Sequence, residues 1–193
     1  MNALATVPAI RTSALPRPTS VSDRRPWRHL LGLGLLTGTA IGVTARGFMR
    51  LLAGEPEFTW SGTLLIVGFF TAFGTMQGVV AGVRSRSSRH WITAPARVLG
   101  GLSYLLLGGG AGALMVPFLW TMAPAIWRPD WNRWVRAALV TVAALNVVGV
   151  IVMQFREQEF RAIHLLGLGL LILVYLATAW TAGPTFRRRT ALE

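Results

Sequence analysis

Few polar side chains lie inside the long apolar runs of this sequence, and they are its first candidates for chemistry. Gln77, Tyr104 and Asn146 each interrupt such a run. A polar group surrounded by hydrocarbon marks either a hydrogen bond between helices or a contact with a ligand or an ion pathway. Asn146 is the most central of the three, which makes it the first candidate for a ligand or pathway contact, followed by Gln77 and Tyr104.

A second candidate set consists of charges between the first two apolar runs. Arg46 and Arg50 are spaced i, i+4 and share one helical face, and Glu55 and Glu57 follow after a turn that contains glycine and proline. These side chains either form an ion-pair cluster that fixes a hairpin or bind a zwitterionic or anionic ligand. The ion-pair cluster is favoured, because charges at a hairpin tip ordinarily have a structural role.

The residue types that most enzymes and metal sites need are scarce. The chain has no cysteine and three widely separated histidines, and no Asp or Glu lies within an apolar run. This composition excludes thiolate nucleophiles, iron–sulfur clusters and Cys-ligated zinc, and it disfavours a carrier that moves protons through a buried carboxylate. We therefore expect no metal, no cofactor and no catalytic residue.

The elements that hold these candidates are predicted to be membrane helices. Hydrophobic residues make up 53% of the chain, and the 13% that are charged cluster between apolar runs, which are long enough to cross a bilayer at roughly 20 residues each. The sequence predicts an all-α integral membrane helical bundle with five hydrophobic segments: residues 30–49, 60–83, 94–127, 137–155 and 163–182. This transmembrane domain (28–182) is flanked by a disordered basic cytoplasmic tail (1–27) and a basic C-terminal tail (183–193).

The net charge of +12 is carried by arginine, mostly between or beyond the segments. Arginines beside membrane spans stay cytoplasmic and meet anionic headgroups, so we expect membrane lipid and not nucleic acid as a partner. The loop WRPDWNRWVR supports this, because Trp127, Trp131 and Trp134 share one helical face, as in an interfacial helix.

The third segment leaves two topologies open, because residues 108–112 read GGGAG and prolines follow. One long kinked helix gives five plain crossings, with 11 arginines inside and 8 outside if the N-terminus is cytoplasmic. Two half-helices that return to the same side give 15 inside and 4 outside, a much clearer bias. Such a re-entrant hairpin needs its broken backbone to be buried in protein or to line a cavity.

Glycines at a spacing of four occur in both of the first two segments. They form a flat face that allows close helix packing, at matching depth in two antiparallel helices. Packing within the chain is favoured over a homo-oligomer interface. The residues are Gly34, Gly38, Gly42, Gly74, Gly78 and Gly82.

The octapeptide HLLGLGLL occurs at residues 29–36 and 164–171. The alignment fails on both sides of it, and the glycine spacing of the first copy has no counterpart around the second. We therefore interpret the repeat as a coincidence in Leu- and Gly-rich helices and not as a duplicated unit.

The run ARGFMRLL…PEFTWSGTLLIVG resembles a segment of uncharacterised small multi-pass membrane proteins of actinobacteria and similar GC-rich bacteria, with no known activity. The resemblance covers residues 40–70 and extends less closely to GGGAGALMVP and WRPDWNRW. It supports the membrane assignment and nothing more specific. We expect a multi-pass protein of the bacterial inner membrane, with its basic N-terminus in the cytoplasm.

The leading functional hypothesis is a non-enzymatic membrane component or accessory subunit, with a homo-oligomer or a protein partner left open. One alternative is a small transporter or channel whose path passes residues 108–112 and Asn146. Another is a lipid-modifying membrane enzyme, although no catalytic set is visible.

Overall fold

A computed structural model of the chain describes residues 26–53, 59–87, 89–156 and 162–187. These residues form helices joined by short connections, with no strand among them, so the predicted all-α membrane bundle is confirmed. The helices are α1 (Trp27–Leu52), α2 (Trp60–Arg86), α3 (His90–Ala111), α4 (Met115–Trp127), α5 (Arg133–Phe155), α6 (Ala162–Thr181) and α7 (Gly183–Phe186).

Four stretches are long and apolar enough to cross a membrane. Two of them coincide with α1 and α2, the third is Arg133–Met153 within α5, and the fourth, Ala162–Phe186, covers α6 and α7. They correspond to the first, second, fourth and fifth predicted segments.

The third predicted segment is broken into two helices. The break is at Gly112, whose φ of 94° lies in the left-handed region, which only glycine adopts without strain. Pro117 follows in the first turn of α4, where a missing N–H removes no helical hydrogen bond. The two arms then pack on each other, with the rings of Tyr104 and Trp120 at 6.0 Å. One long kinked helix is therefore wrong, and α3 and α4 form a hairpin.

The hairpin returns to the end of the bundle where it began. Near the start of α3, Arg97 Nε donates to the carbonyl of Thr185 at 2.7 Å, and at the end of α4, Trp127 Nε1 donates to Ala179 at 3.2 Å. The 13 residues of α4 extend about 20 Å at 1.5 Å per residue, short of the roughly 30 Å of bilayer hydrocarbon. The geometry is that of a hairpin that does not cross.

Most arginines of the described chain lie at that same end. Nine of the twelve described arginines are close to the starts of α1, α3 and α5 or to the ends of α2, α4 and α6–α7. We call this the arginine-rich end; Arg46, Arg50 and Arg156 lie at the opposite end. The asymmetry agrees with the hairpin topology and not with five plain crossings.

The loop between α4 and α5 differs from its prediction, because residues 128–132 are not helical. Pro129 disfavours helical geometry at the residue before it, and Arg128 has φ −118° and ψ 69°. Asn132 then caps the new helix, its Oδ1 accepting from the N–H of Trp134 at 3.0 Å. The expected interfacial helix through Trp127, Trp131 and Trp134 is therefore wrong.

The spaced glycines of α1 and α2 face one another within the chain. A Cβ built on Gly34 would lie 2.3 Å from the carbonyl oxygen of Gly74, and one on Gly74 would lie 2.2 Å from that of Gly34. Gly38 meets the carbonyl of Phe70 and Gly78 that of Leu30 in the same way, at 2.4 and 2.6 Å. A Cβ on Gly42 would meet Phe70 Cβ and the backbone of Val67 at 3.0 Å, and one on Gly82 would meet the ring of Trp27. The two backbones approach so closely that no side chain fits between them.

The two HLLGLGLL copies lie in helices that run in opposite directions, α1 and α6. In the first copy Gly34 is packed and Gly32 meets nothing within 4 Å. In the second copy the pattern is reversed, since Gly167 packs against Leu52 and Gly169 meets nothing. The copies therefore do not share a packing face.

Gly74→Ala is expected to destabilise the bundle, because its methyl group would meet backbone atoms that cannot move aside. Overpacking of this kind typically costs about 1–3 kcal/mol, so thermal unfolding in detergent should shift to a lower temperature. Gly68→Ala in the same helix is the matched control, since a Cβ there meets nothing within 4 Å. Equal stability of the two variants would contradict close backbone packing at Gly74.

Candidate functional site

The most extensive polar network of the described chain surrounds its C-terminal segment, residues 183–187, which we call the C-terminal latch. The chain leaves α6 at Thr181 and continues into the four-residue helix α7. A helix this short cannot satisfy its own carbonyl groups, so they need donors from elsewhere. The predicted tail from residue 183 thus begins with a segment that is packed against the bundle.

Two arginines from neighbouring helices supply those donors. The Arg84 guanidinium in the last turn of α2 donates to the carbonyl of Pro184 and, at 2.6 Å, to that of Arg187. Arg97 in α3 donates to the carbonyls of Thr185 and Phe186, at 2.7 and 3.4 Å. Cations at a helix C-terminus also complement its dipole. The latch is therefore held through its main chain.

Gln77 connects the latch to the bundle interior. Its side chain is 1% exposed. The Nε2 group donates to the carbonyl of Gly100 at 3.0 Å and to Ser103 Oγ at 3.3 Å, and Oε1 accepts from Thr185 Oγ1 at 2.8 Å. A single buried amide thus joins α2, α3 and the latch, and both of its ends are occupied by protein groups.

Tyr104 lies beside this network and is fully buried. Its ring stacks on Phe186 of the latch, at 6.0 Å and 18°, and contacts Phe73 of α2 at 5.6 Å. The hydroxyl forms no hydrogen bond of normal geometry within the described residues, although the Thr185 side chain is close to it. The structure thus brings two sequence candidates, Gln77 and Tyr104, together at the latch.

Asn146 is not part of this group. It is half-buried on α5, on the same face as Ala143 and Val150, and α5 packs mainly on α4. Its Oδ1 atom is buried and accepts no hydrogen bond from the described residues. The structure therefore separates Asn146 from Gln77 and Tyr104.

The charged candidates lie at the opposite end. Arg46 Nε donates to Thr63 Oγ1 at 3.0 Å, which joins α1 to α2. Arg50 is exposed in the last turn of α1. Glu55 and Glu57 lie outside the described residues, so an ion-pair or ligand-binding cluster of the four remains a prediction. Within the described ranges, no three His, Cys, Asp or Glu side chains cluster as a metal site would need.

Sequence reasoning missed three residues that hold the latch in place: Arg84 of α2, Arg97 of α3 and Thr185 of the latch itself. The two arginines were counted only as topology signals, and Thr185 was assigned to a tail. One signal was available, because Arg97 lies inside the third apolar segment, where an isolated charge needs a partner. Nothing in the sequence shows that this partner is the main chain of residues 185–186.

The fold and the latch define the class of this protein as an integral membrane helical bundle with a non-crossing hairpin. No protein-family model, no curated protein and no solved structure matches the chain.

Thr185→Val is expected to loosen the latch, because it keeps the side-chain shape and leaves the buried Oε1 of Gln77 without its donor. An unsatisfied buried acceptor costs about 1–3 kcal/mol. Hydrogen–deuterium exchange at the amides of Thr185 and Arg187 should accelerate roughly tenfold or more.

Thr181→Val is the control for this variant, since the Thr181 hydroxyl donates only to Ala177 of its own helix. Exchange at the latch should be unchanged in it. The bond between Thr185 and Gln77 would have no role in holding the latch if both variants exchanged alike.

Proposed function

We propose that this protein is a non-enzymatic component of the bacterial inner membrane that acts as a rigid body, as a scaffold or an accessory subunit. The observation that carries the proposal is the use of the buried polar side chains. Gln77, Ser103 and Thr185 are all engaged with one another or with main chain. Groups occupied in this way hold helices together and are not available to a substrate.

The packing of the interior supports the same function. Large side chains of α2 and of both arms of the hairpin lie in the interior, and each is fully buried: Phe73, Tyr104, Leu107, Met115 and Leu119. Interiors packed with such side chains transmit force and resist rearrangement. This suits a scaffold better than a carrier that must alternate between two states.

The proposed orientation places the arginine-rich end in the cytoplasm, with both chain termini on that side. Cytoplasmic arginines beside membrane spans follow the general bias of membrane proteins. Exposed arginines there, such as Arg86, Arg89 and Arg133, would meet anionic headgroups, each contributing about 1 kcal/mol near a charged surface. Anionic lipid is thus the proposed partner.

This orientation can be tested with single cysteines, because the natural chain has none. Ser87→Cys lies at the arginine-rich end and Thr59→Cys at the opposite end. In spheroplasts, a membrane-impermeant maleimide should label Thr59→Cys and should leave Ser87→Cys unlabelled until the membrane is opened. The reverse labelling would invert the orientation, and labelling of both from outside would overturn the assignment of sides.

A transporter or channel is the second candidate function, and one observation favours it. Backbone broken at Gly112 within a hairpin that does not cross is typical of transporters and channels, where such breaks line a path. Against it stands the filled interior on the arginine-rich side of the break. A lipid-modifying enzyme has no comparable support among the described residues.

We expect no ion conduction by the purified protein. Proteoliposomes that hold a potassium gradient should dissipate it no faster than protein-free vesicles, measured with a voltage-sensitive dye, because buried side chains occupy the space beside the latch. Gramicidin serves as the positive control. A potassium, sodium or proton flux that scales with protein content would favour the channel alternative over the scaffold.

The exposed surface of α5 is the proposed place for a second copy or a protein partner. Its outward side chains include Val140, Leu145, Val148, Val152 and Met153. The acyl chains of membrane lipid can contact the same apolar side chains. A second copy or another protein would therefore replace lipid at this surface.

A further inference from the structure

A cavity lies at the turn of the hairpin, away from the latch. It measures about 370 Å³, which falls within the roughly 300–1,000 Å³ of small-molecule sites. The last turn of α1, the hairpin turn at residues 112–114, one residue of α5 and two residues of α6 line it. Three helices and one turn therefore converge on a single, partly open space.

Most of the cavity wall is apolar. Phe48 and Leu52 of α1, Val150 of α5 and Leu171 of α6 form it, and none of the lining side chains carries a charge. Such a wall favours the hydrocarbon portion of an amphiphile and disfavours an ion or a sugar.

One polar side chain faces this wall without a protein partner. Tyr175 is 3% exposed and lines the cavity. Its ring packs on Phe118, with centroids 4.8 Å apart, and among the described residues its hydroxyl has no hydrogen-bond partner. The hydroxyl does not belong to the fully buried unpartnered atoms, so it is accessible from the cavity and can bond to a ligand or to water.

The hairpin turn adds backbone donors to the same cavity. The carbonyls of Gly112 and Ala113 accept from Met115 and Val116, at 3.1 and 3.3 Å. The N–H groups of Ala113 and Leu114 donate to no described residue, and they precede the first turn of α4. The positive end of a helix dipole and free N–H groups favour an anionic or carbonyl oxygen.

We propose that this cavity binds a hydrocarbon chain that ends in a carboxylate or an ester carbonyl, with the head at the hairpin turn and at Tyr175. The chain contacts the apolar wall, and the oxygen accepts from the Tyr175 hydroxyl and from the N–H groups of Ala113 and Leu114. This shared chemistry has two sources, a free fatty acid or an acyl chain of a membrane phospholipid. The site is independent of the scaffold function proposed above.

The test measures saturable binding of radiolabelled dodecanoate to the full chain in nanodiscs. The nanodiscs are made of diether phospholipids, which lack ester carbonyls, and binding to empty nanodiscs is subtracted. Saturable binding at about one molecule per chain is expected. Ala113→Trp, which fills the cavity from the hairpin turn, should abolish it.

The two tyrosines of the chain provide a matched pair of variants. Tyr175→Phe removes only the hydroxyl in the cavity and should weaken dodecanoate binding roughly fivefold to tenfold, the effect of one hydrogen bond. Tyr104→Phe removes a buried hydroxyl at the latch, outside the cavity, and should leave the affinity unchanged.

Repeating the measurement in diester phospholipid nanodiscs identifies the source. If the affinity for dodecanoate is the same in both lipids, the occupant is a free fatty acid. If diester lipid weakens dodecanoate binding, and weakens it less in Tyr175→Phe than in the natural chain, the ester of the lipid competes for the site. The proposal is overturned if dodecanoate shows no saturable binding in diether nanodiscs, or if both tyrosine variants change the affinity equally.

Discussion

Main-chain polar groups that leave regular helix inside a membrane must find hydrogen-bond partners, and this constraint shapes the bundle. The chain leaves regular helix at the hairpin turn and between α6 and α7. Beyond α6, the carbonyls of residues 184–187 accept hydrogen bonds from the guanidinium groups of Arg84 and Arg97. Removing water from these carbonyls without such donors would cost several kcal/mol. The arginines therefore hold residues 184–187 against α2 and α3.

Helix α2 is the element through which this arrangement is connected to the rest of the bundle. On one face, Gly74 and Gly78 allow the backbone of α1 to approach within contact distance. On another face, Gln77 bonds to α3 and to the latch. Because these residues are adjacent in one helix, a shift of α2 along α1 would also displace Gln77 from Gly100 and Thr185. The glycine packing and the buried polar network thus both require the same position of α2 along α1.

The two ends of the hairpin have different physical character. Near the latch, hydrogen bonds and stacked rings around Tyr104 leave little free space. At the turn, Gly112 interrupts the helix and the surrounding side chains leave a cavity with unpaired donors. The hairpin is therefore closely packed beside the latch and open at its turn.

Several features were predictable because they depend on local sequence or on the bilayer. Apolar runs near 20 residues, separated by clustered arginines, predicted the helical membrane bundle and the positions of its spans. The GGGAG stretch indicated the position at which the third segment could be broken. The spacing of the glycines in the first two segments indicated which faces of α1 and α2 could approach closely. Each of these inferences needs only neighbouring residues and a known solvent.

What the sequence by itself determined is therefore the class of the protein, its four spans and the glycine-rich stretch at which the third segment could turn. The tertiary structure alone decided that this segment returns, that residues 183–187 pack against α2 and α3, and that Gln77 bonds to Thr185 across 108 residues. It also separated Asn146 from the other polar candidates and placed Tyr175 at a cavity. These features depend on contacts between residues far apart in the chain, which local pattern and hydropathy do not encode.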